Sequence, residues 1–488
     1  MAGGFVPAHD GVDDGVPTEG TRTYAIIVCL FASMGGFFFG YGQGVTGGVL
    51  VMVNFLEDFC VGYGGNTLDD CQRASTNLPD NWLSFTTNFN VCYFTGCCAG
   101  ALIAGYAADR FGRRAAIFTA GVLFCIGTIW VAVTPAHNHT LELTGRFVQG
   151  MGVGNSSFSI PIFGAEMAPK ELRGMLSGFV QMTVVTGLFL ANVVNIGIKN
   201  VDEGWRISFC VALSHQSSSW RSPRWLYKNK GRDVVEVALE RLRQTENAHH
   251  ELTAIGDQLE LEGEEAAWKE LWEPSIRRRV FITSSNKRQA SILCSLTERR
   301  FSKTSPLSLL VLTAVNFVST MPAMRWVDTV GRRKLLLIGA AGMAVGHFVA
   351  AISFTAGCDG DTENADCKTV PGYIIVIAAA FYVFNFAMSW SPIGWIYPSE
   401  IFPLNVRAKA VSISIMANWG MGATMVAMPK LFPYLNINGV FFLFGGISVI
   451  NYIFVYFMCP ETAGLLLEDI EALFNSKAAG KKQSPKYI

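Results

Sequence analysis

The chain has 488 residues, half of them hydrophobic and only 16% charged, against about a quarter charged in a typical soluble domain. Lys plus Arg and Asp plus Glu balance at 38 each, so there is no global basic field for nucleic acid and no acidic tail. The 35 Phe, 49 Gly and 11 Trp suit helices in lipid, where Gly lets helices approach closely and Trp favours the interface.

Residues 1–23 are polar and Gly-rich and lack the basic stretch, short apolar core and cleavage site of a signal peptide, so they read as a cytoplasmic tail. A helix needs about 20 apolar residues to cross the hydrocarbon layer. Five stretches meet this early in the chain (24–49, 85–107, 115–134, 141–165, 175–198) and five late (307–327, 335–355, 372–396, 411–428, 439–458). The expected domains are an N-terminal helix bundle over 24–213, a central charged region over 214–305, a C-terminal bundle over 306–459 and a cytoplasmic tail over 460–488. Among the spans the ionisable side chains are Arg146, Arg325 and His347, with Glu142 at one mouth.

Sixteen Lys/Arg and thirteen Asp/Glu lie between His215 and Ser305, and no window there can span a membrane. Asp233 to Arg243 reads as a soluble amphipathic helix, and Glu260 to Glu265 as a solvated face rather than a calcium loop. Just before this region, Ile207 to Leu213 starts like a span and stops. Just after its acidic part, Arg277 to Arg300 carries basic clusters where a span is expected. A five-plus-five arrangement follows, which leaves the central loop outside, against the positive-inside preference.

Two short loops between spans repeat each other 219 positions apart: Asp109-Arg-Phe-Gly-Arg-Arg114 and Asp328-Thr-Val-Gly-Arg-Arg333. Basic clusters between closely spaced spans stay in the cytoplasm, so the pair fixes orientation as well as internal duplication. Glu166 and Arg173 recur, again seven apart, as Glu400 and Arg407. A cytoplasmic gate of charge-assisted hydrogen bonds can be built from these groups: Asp109, Gly112, Arg113, Arg114, Glu166 and Arg173 in one half, and Asp328, Gly331, Arg332, Arg333, Glu400 and Arg407 in the other. Asn138-His-Thr140 falls outside as a glycosylation sequon. Cys60/Cys71 and Cys358/Cys367 bracket outside loops, where disulfides and free thiols are equally expected, and no Cys/His spacing suggests a metal.

With these motifs go Gly35-Gly-Phe-Phe-Phe-Gly-Tyr41, Gly145-Arg-Phe147, Trp395-Ile-Tyr-Pro-Ser-Glu-Ile-Phe-Pro403 and Pro460-Glu-Thr-Ala-Gly464. The chain resembles the sugar porter family of the major facilitator superfamily, over Gly35 to Arg206 and Asn316 to Leu467, with a fragment at Ser222-Pro-Arg-Trp-Leu226. The resemblance implies an all-α integral membrane fold of twelve helices in two pseudo-symmetric bundles. About ten are recognisable here, with the sixth and seventh degraded. It further implies a monosaccharide bound between the bundles, protons as the co-substrate of symporters, a monomer in the plasma membrane, no cofactor and no enzymatic activity.

Gln181 is a polar side chain in an apolar span, which is costly without a function. By resemblance it is a sugar ligand, together with Asn316, Asn418 and the stacking Trp395. Departures are equally informative. Family symporters carry Asp after Phe-Gly-Tyr, facing an Arg in the fourth span. Here the position is Gly42 while the Arg remains as Arg146, so proton coupling of the family type is not expected. The Gln-Gln and Thr-Gly-Ile-Asn ligands of the family's seventh helix are not recognisable between Arg277 and Pro306. Three readings follow: a working monosaccharide transporter, a non-functional or mis-spliced paralogue of a sugar/proton symporter, and a non-transporting sugar sensor.

Overall fold

The computed structural model describes residues 26–27, 30, 33–72, 78–167, 173–211, 233, 236–237, 240, 253, 268–285, 306–358, 370–426, 432–463 and 474, with backbone alone at 109, 165–167, 173–177, 306–309, 358, 404–405, 425, 432–435 and 437. The fragment at 222–226, Cys358/Cys367 as a pair and the side chains of Asp109, Glu166 and Arg173 therefore lie outside the described residues. Each of the ten sequence spans contains a helix. The first half is built from α1 (Gly35–Val49), α2 (Val53–Phe59), α3 (Leu68–Gln72), α4 (Asp80–Phe111), α5 (Arg113–Val133), α6 (His139–Met167), α7 (Arg173–Ile198) and α8 (Gly204–Val211). The second half holds α9 (Pro306–Val330), α10 (Arg332–Cys358), α11 (Val370–Met388), α12 (Trp390–Ile401), α13 (Leu404–Val426) and α14 (Phe432–Met458).

Among the described residues, seven helical stretches are long and apolar enough to cross a membrane, and eight if α1 and α2, bent by 77°, count as one broken span. The long helices missing from that set are α6 and α13. They are interior: both pack on α4 and touch each other, and α6 buries Arg146, Gln149 and Asn155 inside the protein. Polar groups lower their apolarity because they face protein rather than lipid.

Small residues set the packing. In α1, a Cβ on Gly40 would lie 1.8 Å from the backbone oxygen of Val184 in α7, and in α4 a Cβ on Gly96 would lie 2.2 Å from that of Phe147 in α6. Neither helix pair could approach this closely with larger side chains. The halves meet where α4 packs on α13 and α7 on α9, with Phe189 stacked on Phe317 at 5.7 Å.

The span read at 372–396 is broken. Ser389, with φ −125° and ψ −76°, separates α11 from α12, and its hydroxyl donates to Asn385 O at 2.6 Å. Pro392 explains the break, since it cannot donate to the preceding turn and fits only near a helix start.

The central region also differs from the sequence reading. Residues 274–285, which include the Arg277-Arg278-Arg279 cluster, are helical. They pack in the second half, with Thr283 and Ser414 hydroxyls 2.6 Å apart and Phe281 5.9 Å from Phe454. Arg279 is buried, donates to Ile401 O at 3.0 Å and stacks 4.7 Å from Phe474. Ile401 adjoins Glu400, which binds Arg332 of the second Gly-Arg-Arg loop, so the segment lies at the end of that loop, the end expected to be inside. α8 starts at the opposite end, where Arg206 donates to Thr134 O. The expectation that the central loop lies outside is thus corrected for 268–285, and the positive-inside preference is restored.

Candidate functional site

Between the bundles, Gln181 of α7 and Trp395 of α12 are joined directly: indole Nε1 donates to Oε1 at 2.8 Å. Phe39 of α1 lies edge-on to Trp395 at 5.8 Å and to Trp419 of α13 at 5.1 Å. Tyr93 and Phe94 of α4 close the far side of Trp419, at 6.4 and 5.9 Å. Asn418, next to Trp419, is half-buried. Asn316 of α9 is 7% exposed, and its Oδ1 is buried with no hydrogen bond among the described residues. The Nε1 of Trp419 is in the same condition. Five helices from the two bundles thus join Gln181, Trp395, Phe39, Trp419, Tyr93 and Phe94 in one chain of contacts, and Asn316 and Trp419 each keep a buried polar atom without a hydrogen bond among the described residues.

Arg146 is wholly buried in α6. Its guanidinium donates to Thr46 Oγ1 of α1 at 2.6 Å and to Gln149 Oε1 at 2.5 Å, and lies over the rings of Phe89 and Tyr93 at 4.5 and 4.4 Å. Thr46 donates in turn to Gly42 O at 3.0 Å, and Gln149 to Thr128 Oγ1 at 3.0 Å. Neutral acceptors and π faces therefore hold the cation that the sequence leaves without its family counter-ion. Arg146 Nε and the Tyr93 hydroxyl remain buried without a hydrogen bond among the described residues. A Cβ on Gly42 would sit 3.4 Å from Phe124 Cε2 and 3.5 Å from the Tyr93 hydroxyl, so the position has room for a side chain.

At the cytoplasmic end the two Gly-Arg-Arg loops share one geometry. Gly112 (φ 88°) and Gly331 (φ 97°) each turn the chain between two helices in a region that favours glycine. Arg113 donates to Ala108 O at 3.1 Å and Arg332 to Val327 O at 3.2 Å, five residues back in both copies. Around the second loop, Arg332 pairs with Glu400 at 2.8 Å and Asp328 at 3.0 Å, while Thr462 donates to Glu400 at 2.8 Å. Glu461 accepts from the backbone N–H groups of Arg332 and Arg333 at 2.8 and 3.1 Å, capping the start of α10. Arg407 donates to Phe402 O, and Arg333 to Tyr456 O. Arg114 is exposed.

The sequence profile of the family described as "Sugar (and other) transporter" matches residues 28–287 and 298–474. The chain belongs to this family. Among its relatives are a probable glucose transporter of Neurospora crassa, 30% identical over 93% of this chain and 80% of that protein, and sugar transport protein 10 of Arabidopsis thaliana, 28% identical over 99% and 97%. Among solved structures, the major facilitator proton:xylose symporter XylE bound to 6-bromo-6-deoxy-D-glucose superposes with a TM-score of 0.75 at 25% identity, covering 93% of this chain and all of that one. The inward-open form of XylE from E. coli gives 0.69 at 25%.

This chain is accordingly a multi-pass membrane protein with the major facilitator fold, in a family of sugar transporters rather than enzymes. The family match runs through 207–287, where the motifs reach only 222–226, and is interrupted over 288–297. Phe39 and Tyr93 are residues of the central region that sequence reasoning missed. A run of three Phe at 37–39 does not say which ring faces inward, and Tyr93 sits in a span with no motif.

Proposed function

We propose that this chain carries a monosaccharide across the plasma membrane as a monomer, by alternating access, with Gln181, Asn316, Trp395 and Asn418 as ligands. The observation that carries the reading is the Gln181–Trp395 hydrogen bond between the bundles. Amides donate and accept at once, as vicinal hydroxyls require, and indole faces suit the C–H face of a sugar ring. The names of the relatives, with glucose and xylose among their substrates, support the same class.

In this reading the Arg332–Glu400–Thr462 cluster and its first-half counterpart at Asp109, Arg113, Glu166 and Arg173 latch the inward side. They must open as the bundles rock. Gly42 supplies no carboxylate and Arg146 is held by neutral groups, so position 42 carries no proton.

The competing reading is a defective paralogue. Against it stands a relative aligned over 99% of this chain and 97% of its own length, so the chain keeps the relative's full span. Expression at the surface of cells lacking their own sugar carriers tests the proposal: D-glucose or D-xylose uptake is expected, and none from a surface-localised protein would sink it.

A further inference from the structure

Glu142 lies in the first turn of α6, one helical turn before Arg146, and is wholly buried. Both of its carboxyl oxygens are buried without a hydrogen bond among the described residues. The hydroxyl of Thr134, which acts on it, donates instead to Trp130 O at 2.8 Å. An ionised carboxylate in that setting is costly, because no hydrogen bond of normal geometry among the described residues offsets its desolvation. A carboxylic acid is far less so.

The charged groups around it are Arg146 on its own helix and Arg206 of α8. Arg206 is already engaged, with Asp58 of α2 at 3.6 Å, with Glu203, and with the carbonyls of Ala132 and Thr134. His139, one turn nearer the rim, has its Nε2 2.9 Å from Phe59 O. Arg146 holds only neutral acceptors, Thr46 and Gln149. It is therefore the one of the two arginines that can exchange those partners for a carboxylate.

We propose that Glu142 is the proton-carrying group of this transporter, in a place where no carboxylate at position 42 can serve. With Arg146 bound to Thr46 and Gln149, Glu142 holds a proton. When Arg146 turns to Glu142, the O–H bond breaks, the proton leaves to water, and a carboxylate–guanidinium pair forms. Charge is conserved, and no other reactant is needed. The proton enters from the end of α6 that carries His139 and Asn138, since Glu142 lies in the first turn of that helix. Thr46 shares α1 with Phe39, whose ring contacts Trp395. Release of Thr46 by Arg146 is thus transmitted to the sugar region through one helix. The proposal rests on the transport reading above.

The test uses the full chain in liposomes with a trapped pH dye and with D-glucose and D-xylose as probes. Inward sugar flow is expected to acidify the lumen. E142Q is expected to lose this proton movement at least tenfold while keeping sugar exchange between two sugar-loaded faces, and E142D to retain it. Sugar flow without proton movement in the parent protein, or proton movement preserved in E142Q, overturns the inference and leaves the transport reading intact. Absence of sugar exchange in the parent protein overturns both. Should E142Q fail to fold, carbodiimide labelling of the unmodified chain replaces it. Labelling at Glu142, located by mass spectrometry, must stop the proton movement, and proton movement that survives complete labelling contradicts the proposal.

Discussion

Nε1 of Trp395 donates a hydrogen bond to Oε1 of Gln181 at 2.8 Å, across the boundary between the two helix bundles. A residue read from sequence as a ligand in one half is thereby tied to one read the same way in the other. If a sugar binds here, its hydroxyls must replace or share this bond. Trp395→Phe removes the donor with the pyrrole ring while keeping an aromatic face, and is expected to weaken apparent affinity by about 1 kcal/mol, roughly fivefold in KM. Trp395→Ala also removes the face against Phe39 and should cost more. Uptake kinetics separate the two, and equal KM in both variants would place the sugar elsewhere.

A Cβ at Gly42 would meet only ordinary van der Waals contacts, with the unpartnered Tyr93 hydroxyl 3.5 Å away. Gly42→Asp is expected to fold and to match or exceed parent stability, by up to about 2 kcal/mol if its carboxylate gains a charged hydrogen bond. Thermal unfolding of the detergent-purified variant checks this. A clear loss of stability would mean that the pocket does not admit a carboxylate.

Gly331 combines φ 97° with a carboxylate 2.6 Å from the site of any Cβ, that of Glu461. Gly62, with φ 79°, has nothing within 4 Å. Gly331→Ala must strain the backbone and displace the Glu461 cap, whereas Gly62→Ala bears only the backbone cost of about 1 kcal/mol. The first is expected to lower the melting temperature well beyond the second.

Arg332 is buried between Glu400 and Asp328, while Arg333 is half-buried and bonds Tyr456 O. Arg332→Ala leaves the half-buried Glu400 without its cation, a loss of up to about 3 kcal/mol, the low end for a buried pair. Arg333→Ala should cost well under half of that. Adding Glu400→Gln to Arg332→Ala is expected to recover part of the loss. No recovery would show that the pair does not hold this end together.

Much of the fold is legible in sequence because lipid demands long apolar runs, and the Gly-Arg-Arg repeat orients them. What escapes has specific causes. The 372–396 stretch is one candidate span, as read, but Pro392 interrupts its helix at Ser389, which hydropathy does not show. The helical segment 274–285 is hidden by Arg277-Arg278-Arg279, since burial of Arg279 depends on Ile401 O and Phe474, more than a hundred residues away. Cys60 and Cys71 do form a disulfide, with Cα atoms 6.2 Å apart, a choice that spacing alone left open. At the central region the named ligands are legible by resemblance, whereas Phe39 and Tyr93 need the helix phase. Arg146 shows the limit most clearly: the loss of a partner can be read from Gly42, but its replacements, Thr46 and Gln149, can be found only in space.

The central claim is that a monosaccharide is carried through a site between Gln181 and Trp395. Counterflow in liposomes containing the purified chain tests it most directly, because exchange of labelled for unlabelled sugar needs no energy source. The account predicts transient accumulation of labelled D-glucose or D-xylose by the parent protein and its loss in Gln181→Ala. Folded protein that exchanges no monosaccharide, or Gln181→Ala that exchanges as well as the parent, would contradict it.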